Sequence, residues 1–338
     1  MHVVTLGTSG GPLLRPRPAK GSAGAGHTGG IATAVVVEDR YYLVDAGHGV
    51  AHALVNAGLK ITDLRGVFIT HHHSDHTIDL NSLMVLGGLA FRGRADITVP
   101  VIGPGDRGEI PPVGYRTEQA VAPIFGDEPT PGTRRAVELL LRAHATDLND
   151  RRRDSRAPDI SAIFVGRDIA LPERVGFHPD RNNHPEMEPF EVFRDEHVVV
   201  TATLVQHQPM APAFAFRFDS AEGSVTVSGD TAPSQNLVRL ATDCDLLLHE
   251  AIDLDAVARS YGAVRAEDLE ASMGHHRRAH TTPQDTGRIA REAGVKRLAL
   301  HHLVPAGSPE SGWRQAETTY PGPVLIPRDL EVIALSQR

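Results

Sequence analysis

Short apolar runs recur along the chain, and most of them stop at a loop carrying glycine, histidine or aspartate. Val3 to Leu6 is the first, ending in Gly7-Thr8-Ser9-Gly10-Gly11-Pro12, which reads as a strand entering a turn-rich loop. A glycine-rich stretch from Gly21 to Gly30 suits neither helix nor strand and predicts a loop. Ala32 to Val37 and Tyr41 to Val44 flank Glu38-Asp39-Arg40 and predict a hairpin. Val50 to Ala57 has helical spacing, Gly66 to Thr70 is a further strand, and Thr77 to Leu86 reads as a helix. Strands that end in polar loops and are followed by helices predict an α/β layered fold.

From about Pro111 to Pro189 this regularity fails. Proline, glycine, arginine and aspartate dominate, and only Thr133 to Ala145 is periodic enough for a helix. We read about 111–190 as an insertion in a single domain spanning 1–338, serving as a lid or a dimer element. Regular runs return at Val198 to Val205, Ala213 to Phe218, Ser224 to Val227 and Asp245 to Leu248. Thr282-Pro283-Gln284-Asp285 opens a helix, with an N-cap threonine, proline at the first helical position and an acid at N3. Arg297 to Leu300 is the last clear strand and runs into His301-His302.

Composition narrows the function. No apolar run approaches the ~20 residues a bilayer span needs, and the start shows no secretory pattern, so a cytoplasmic protein without membrane contact is expected. A single cysteine excludes a disulfide scaffold and a zinc site built on thiolates. With 34 basic against 42 acidic side chains, the net charge of −8 argues against a generally basic nucleic-acid surface. Nineteen histidines change the picture, because they are clustered.

His71-His72-His73-Ser74-Asp75-His76 follows a strand directly. His71 and His73, two apart in extended backbone, project to the same side, whereas Asp75 and His76 come after the chain turns. Imidazole and carboxylate without sulfur suit Zn²⁺, and Mn²⁺ or Fe²⁺ less specifically. Further ligands obey one rule: His207, Asp230 and His302 each follow a strand, where α/β folds gather ligands. Asp230 can bridge two cations. The expected division is His71, His73 and His207 on one metal, Asp75, His76 and His302 on the other, and Asp230 shared.

The chain resembles the metallo-β-lactamase superfamily, whose His-x-His-x-Asp-His motif stands at His71, His73, Asp75 and His76. Within it, the likeness runs to the ribonuclease Z and arylsulfatase-like branch. It rests on Leu6-Gly7-Thr8-Ser9-Gly10-Gly11, Asp45-Ala46-Gly47, Gly229-Asp230-Thr231, Leu248-His249-Glu250-Ala251, Ala279-His280-Thr281-Thr282 and Leu300-His301-His302-Leu303. The resemblance implies a four-layer αβ/βα sandwich with two zinc ions per chain at one edge. It implies His302 rather than His301 as the ligand, and a catalytic set of His280, Glu250 and Asp75. His280 would protonate the leaving oxygen while Glu250 holds its orientation and raises its pKa. A homodimer is expected by the same analogy.

Substrate class is where the likeness departs. Ribonuclease Z carries its tRNA-gripping arm between the residues matching His207 and Asp230, and here only 22 residues separate them. The arginines at 134, 135, 142, 151, 152, 153 and 156 are interleaved with Asp147, Asp150 and Asp154. Arg15 and Arg17 could meet an anion. The expectation is therefore a dinuclear zinc hydrolase attacking a small-molecule ester (phosphodiester, aryl sulfate, carboxylic ester or lactone) with a hydroxide that the two metals share. The alternatives are a tRNA 3′-processing endoribonuclease and a non-hydrolytic metal-binding or redox module. His72 is expected to point away from the metals, His275 and His276 to lie in an exposed turn near the site mouth, and His48 to be a weaker candidate nearby.

Overall fold

Two seven-stranded sheets face each other, and the two-residue alternation of their strands decides what lies between them and what lies outside. The structure is a computed structural model and describes residues 1–11, 21–22, 24–94, 97–115 and 119–335. Pro12, Arg15, Arg17 and Ala23 lie outside the described residues.

The first sheet holds β1 (His2–Gly7), β2 (Ala32–Val37), β3 (Arg40–Val44), β4 (Leu64–Phe68), β5 (Val99–Pro104) and β6 (Phe164–Ile169). The second holds β7 (Phe190–Arg194), β8 (Val199–Leu204), β9 (Phe214–Ser220), β10 (Gly223–Val227), β11 (Leu246–Ile252), β12 (Leu298–Val304) and β13 (Val324–Leu325). The last strand, β14 (Glu331–Ala334), returns to the first sheet beside β1. The predicted hairpin is β2 paired antiparallel with β3, and β3 through β6 then run parallel. In the second sheet β10 through β13 run parallel.

Alternation sorts the core. Tyr42 and Val44 of β3 turn inward with Val35 and Val37, while Tyr41 and Leu43 turn outward with Ala34 and Val36. Between the sheets, Phe68 meets Phe216 at 5.5 Å and Phe218 at 5.2 Å edge-on, and Tyr42 meets Phe218 at 6.1 Å. Outside, helices Val50–Asn56, Leu80–Gly87 and Thr133–Ala143 pack on the first sheet, and Gln235–Ala241 and Pro283–Glu292 pack on the second. Helix, sheet, sheet, helix is the expected αβ/βα sandwich.

The differences from the sequence reading lie near the site. The helix expected over Thr77 to Leu86 is two pieces, Ser74–Thr77 and Leu80–Gly87. The chain breaks there because the Asp79 N–H donates to the Ala46 carbonyl, as the Ala46 N–H does to that of His76, pinning the turn to the loop after β3. Both β11 and β12 run past their expected ends, since they pair as far as Ile252 and Val304. Within 111–190 the expected Thr133–Ala145 helix stops at Ala143, and a second helix, Ala145–Ser155, buries none of its residues. The same stretch supplies β6, paired with β5 along its whole length.

Candidate metal centre

All seven residues expected as ligands meet where the strand ends of both sheets converge. His71, His73, His207 and Asp230 offer ligand atoms within 4.8 Å of one another, and so do Asp75, His76 and His302. Asp230 stands between the two groups. Its Oδ2 faces His71 Nε2 at 3.9 Å and His207 Nε2 at 3.8 Å, while its Oδ1 faces His76 Nε2 at 3.4 Å and His302 Nδ1 at 3.3 Å.

Local backbone makes this possible. Phe68 ends β4, and the Phe214 N–H donates to the Thr70 carbonyl, tying the motif loop to the second sheet. His302 adopts a left-handed φ of 46° inside β12, opposite the register irregularity between Glu250 and Ala251. His301 consequently turns back to Thr33, 3.5 Å away, and His302 faces the site. Gly10 accommodates that ring, because a Cβ there would lie 2.4 Å from it.

The outer nitrogens of the ligand histidines are held. His76 Nδ1 donates to Asp45 Oδ2 at 2.7 Å, and His207 Nδ1 donates to the Ala279 carbonyl at 2.8 Å. Asp45, itself at a left-handed φ of 60°, also accepts from the Thr70 N–H at 2.8 Å. Asp75 Oδ2 accepts from the Gly11 N–H at 2.9 Å. Asp45 is the functional partner that sequence reasoning missed; Asp45-Ala46-Gly47 marked the position without the role.

The donor set fits cations of the Zn²⁺ class. Burial holds His71 and His207 well below the ordinary imidazole value and His73 at about 4, so their lone pairs are free. Those lone pairs face one another: His71 Nε2 and His207 Nε2 approach His73 Nδ1 at 3.0 and 3.1 Å. In the second group His76 Nε2 lies 3.1 Å from His302 Nε2. Asp230 Oδ1 and His302 Nδ1 are buried without a hydrogen bond. Buried polar atoms are seldom left so, and nitrogen and oxygen donors fixed by outer hydrogen bonds are what zinc takes. Although burial opposes charge at Asp230 and Asp75, the neighbouring histidines hold both carboxyls below the usual range.

His280 lies beside this centre, with Nδ1 2.9 Å from Glu250 Oε1 and 3.9 Å from Asp230 Oδ2. Desolvation alone would depress its pKa, but the Glu250 carboxylate pushes it up to about 9. Glu250 is fully buried and also accepts from the Thr231 N–H at 3.1 Å. His249 is buried too; its Nδ1 donates to the Glu250 carbonyl at 2.8 Å, and it is in neither ligand group.

The remaining histidines divide. His72 leaves the ligand groups and bonds Thr133 Oγ1 at 2.9 Å. His48 is two-thirds exposed, with Asp79 3.9 Å away. His275 and His276 correct the expectation of an exposed turn: they occupy the last turns of helix Ala266–Ala279 and are partly buried against His280. A cavity of 650 Å³ opens beside His73, walled chiefly by apolar side chains including Leu139, Leu140, Pro129, Pro131 and Met210.

The family described as anti-Pycsar protein Apyc1 is matched over residues 23–100. A protein named ribonuclease Z from Mycobacterium sp. (strain KMS) is 28% identical over 98% of this chain and 95% of its own length. Among solved structures, the metallo-β-lactamase fold protein YhfI from Bacillus subtilis superposes with a TM-score of 0.57 at 19% identity, covering 98% of each chain. Human tRNase Z, short form, superposes with a TM-score of 0.59 at 22% identity, over 99% of this chain and 100% of that one.

Proposed function

We propose that the chain is a metal-dependent hydrolase of the metallo-β-lactamase superfamily and that the bond it cleaves is a phosphodiester of RNA, as the likeness to proteins named ribonuclease Z suggests. The first expectation, a small-molecule ester, is displaced from first place because the sequence likeness to proteins named ribonuclease Z runs nearly end to end.

One observation carries the phosphodiester reading: the imidazole of His280, held 2.9 Å from the fully buried Glu250 carboxyl and 3.9 Å from Asp230. An aryl leaving group departs without a proton, whereas a sugar alkoxide needs one, so a positioned acid matters most for nucleotide esters. His71, His73 and His207 would hold one cation and Asp75, His76 and His302 the other, with Asp230 between them. When bound, the cations supply a hydroxide near neutral pH and polarise the phosphoryl group. His280 then gives its proton to the departing oxygen, and Glu250 keeps the ring turned toward it.

A second reading, a small phosphodiester, is favoured by the apolar cavity beside His73 and by the short span between His207 and Asp230. Residues 208–229 there form a tight loop, β9 and β10. Arg135, Arg142 and Arg151 are moreover paired with Glu128, Glu138 and Asp147.

The test is a panel of zinc-loaded protein on precursor tRNA, a bis-aryl phosphodiester, an aryl sulfate, an aryl ester and a lactone. Cleavage of precursor tRNA, lost in Asp230→Asn, is expected. Turnover of small phosphodiesters with precursor tRNA untouched supports the second reading. Turnover of the sulfate or carboxylic esters alone refutes both.

A further inference from the structure

Three histidines at the mouth of the centre are not used by the ligand groups above as a set: His275, His276 and His280, whose ligand atoms lie within 4.8 Å of one another. We propose that they form a third metal site, where an additional Zn²⁺-class cation binds and switches the hydrolase off.

Each ring has one nitrogen anchored and one open. His280 Nδ1 is engaged by Glu250 Oε1 at 2.9 Å, leaving Nε2. His276 Nε2 is 3.1 Å from the Tyr261 hydroxyl, and its Nδ1 is buried without a hydrogen bond. One nitrogen of His275 donates to the Gln208 carbonyl. An imidazole fixed through its outer nitrogen by a carboxylate, carbonyl or hydroxyl is how proteins orient metal ligands. Three such rings with an open fourth position make a site for zinc with one water or anion. Bound zinc–nitrogen lengths near 2.1 Å place ligand nitrogens roughly 3.4 Å apart, so the rings need draw in by at most about 1.4 Å. The adjustment falls to the helix carrying His275 and His276, since Glu250 of β11 holds His280 by its Nδ1.

His280 belongs to both arrangements, which gives the site its consequence. A cation on Nε2 takes the lone pair that otherwise bears the transferable proton; that proton leaves to solvent and the leaving oxygen goes unprotonated. The inhibitory half rests on the role proposed for His280, whereas the binding half does not.

Equilibrium dialysis of the full chain against Zn²⁺ separates the two. The parent is expected to take up three ions per chain, the third more weakly, and His275→Ala and His276→Ala to take up two. Both variants should keep their turnover when two ions are bound and escape the slowing, at least tenfold, that saturating Zn²⁺ imposes on the parent. Uptake of only two ions by the parent, or of three by both variants, overturns the site. A third ion bound without loss of turnover overturns the inhibition and leaves the site standing. If no substrate is cleaved at all, the dialysis result still decides the binding.

Discussion

Replacing Glu250 by Gln tests the acid assignment through a pH profile. The substitution keeps shape and a hydrogen-bonding side chain but removes the charge 2.9 Å from His280 Nδ1. With that charge His280 titrates at about 9, and the ordinary value is 6.5. The difference corresponds to roughly 3 kcal/mol of preference for the protonated ring. The sign follows from the role: His280 must carry its proton to donate it, so activity falls as pH rises through the imidazole pKa. At pH 7.5 about 97% of the parent is competent, against about 10% once the ring returns to its ordinary value. Asp230 and Asp75 still raise the ring's pKa in the variant and oppose the burial that lowers it. Turnover of Glu250→Gln relative to the parent should therefore drop about tenfold or more at pH 7.5 and recover to within about twofold at pH 6. Taking the ratio cancels effects common to both proteins, and substrates with an alkoxide leaving group should be used at saturation. A loss that is the same at every pH, or an alkaline limb that stays near 9 in the variant, would refute the assignment.

Other outcomes follow from single contacts. Asp45→Asn loosens His76, whose Nδ1 donates to Asp45 at 2.7 Å, and should weaken one of two bound metals 10- to 100-fold in a chelator competition. Gly10→Ala places a methyl 2.4 Å from the His302 ring, so metal content should fall toward one ion per chain by elemental analysis, with no comparable loss in Gly114→Ala, where the space is open. Phe216→Ala empties a ring from the layer between the sheets and should cost about 3–5 kcal/mol in urea unfolding. A cost under about 1 kcal/mol would mean that the aromatic cluster does not carry that core.

The tests divide along the way the site is built. His71, His73, Asp75 and His76 come from one short segment after β4, the loop to His73 and the helix Ser74–Thr77. His207 and Asp230 follow β8 and β10 and His302 lies within β12, all in the other sheet, so their meeting with the first group depends on the packing between sheets. Metal binding and folding are linked on that account: ions bound across the two sheets should raise the unfolding midpoint, and chelation should lower it.

What the sequence determined by itself is the local part. Short apolar runs placed the strands, breaks between them placed the loops, and the spacing of His71, His73, Asp75 and His76 put four donors after one strand. The positions of His207, Asp230 and His302 were legible too, because each closes an apolar run. The tertiary structure decided everything that depends on register or on a distant partner. Alternation cannot choose between His301 and His302, since one residue of slip exchanges the faces; the irregularity opposite Glu250 and the left-handed φ at His302 make that choice. Nor could spacing pair Asp45 with His76 or Tyr261 with His276, contacts that exist because separate segments fold together. A sequence encodes which donors are available, but the direction of each lone pair is set by what holds the other side of the ring.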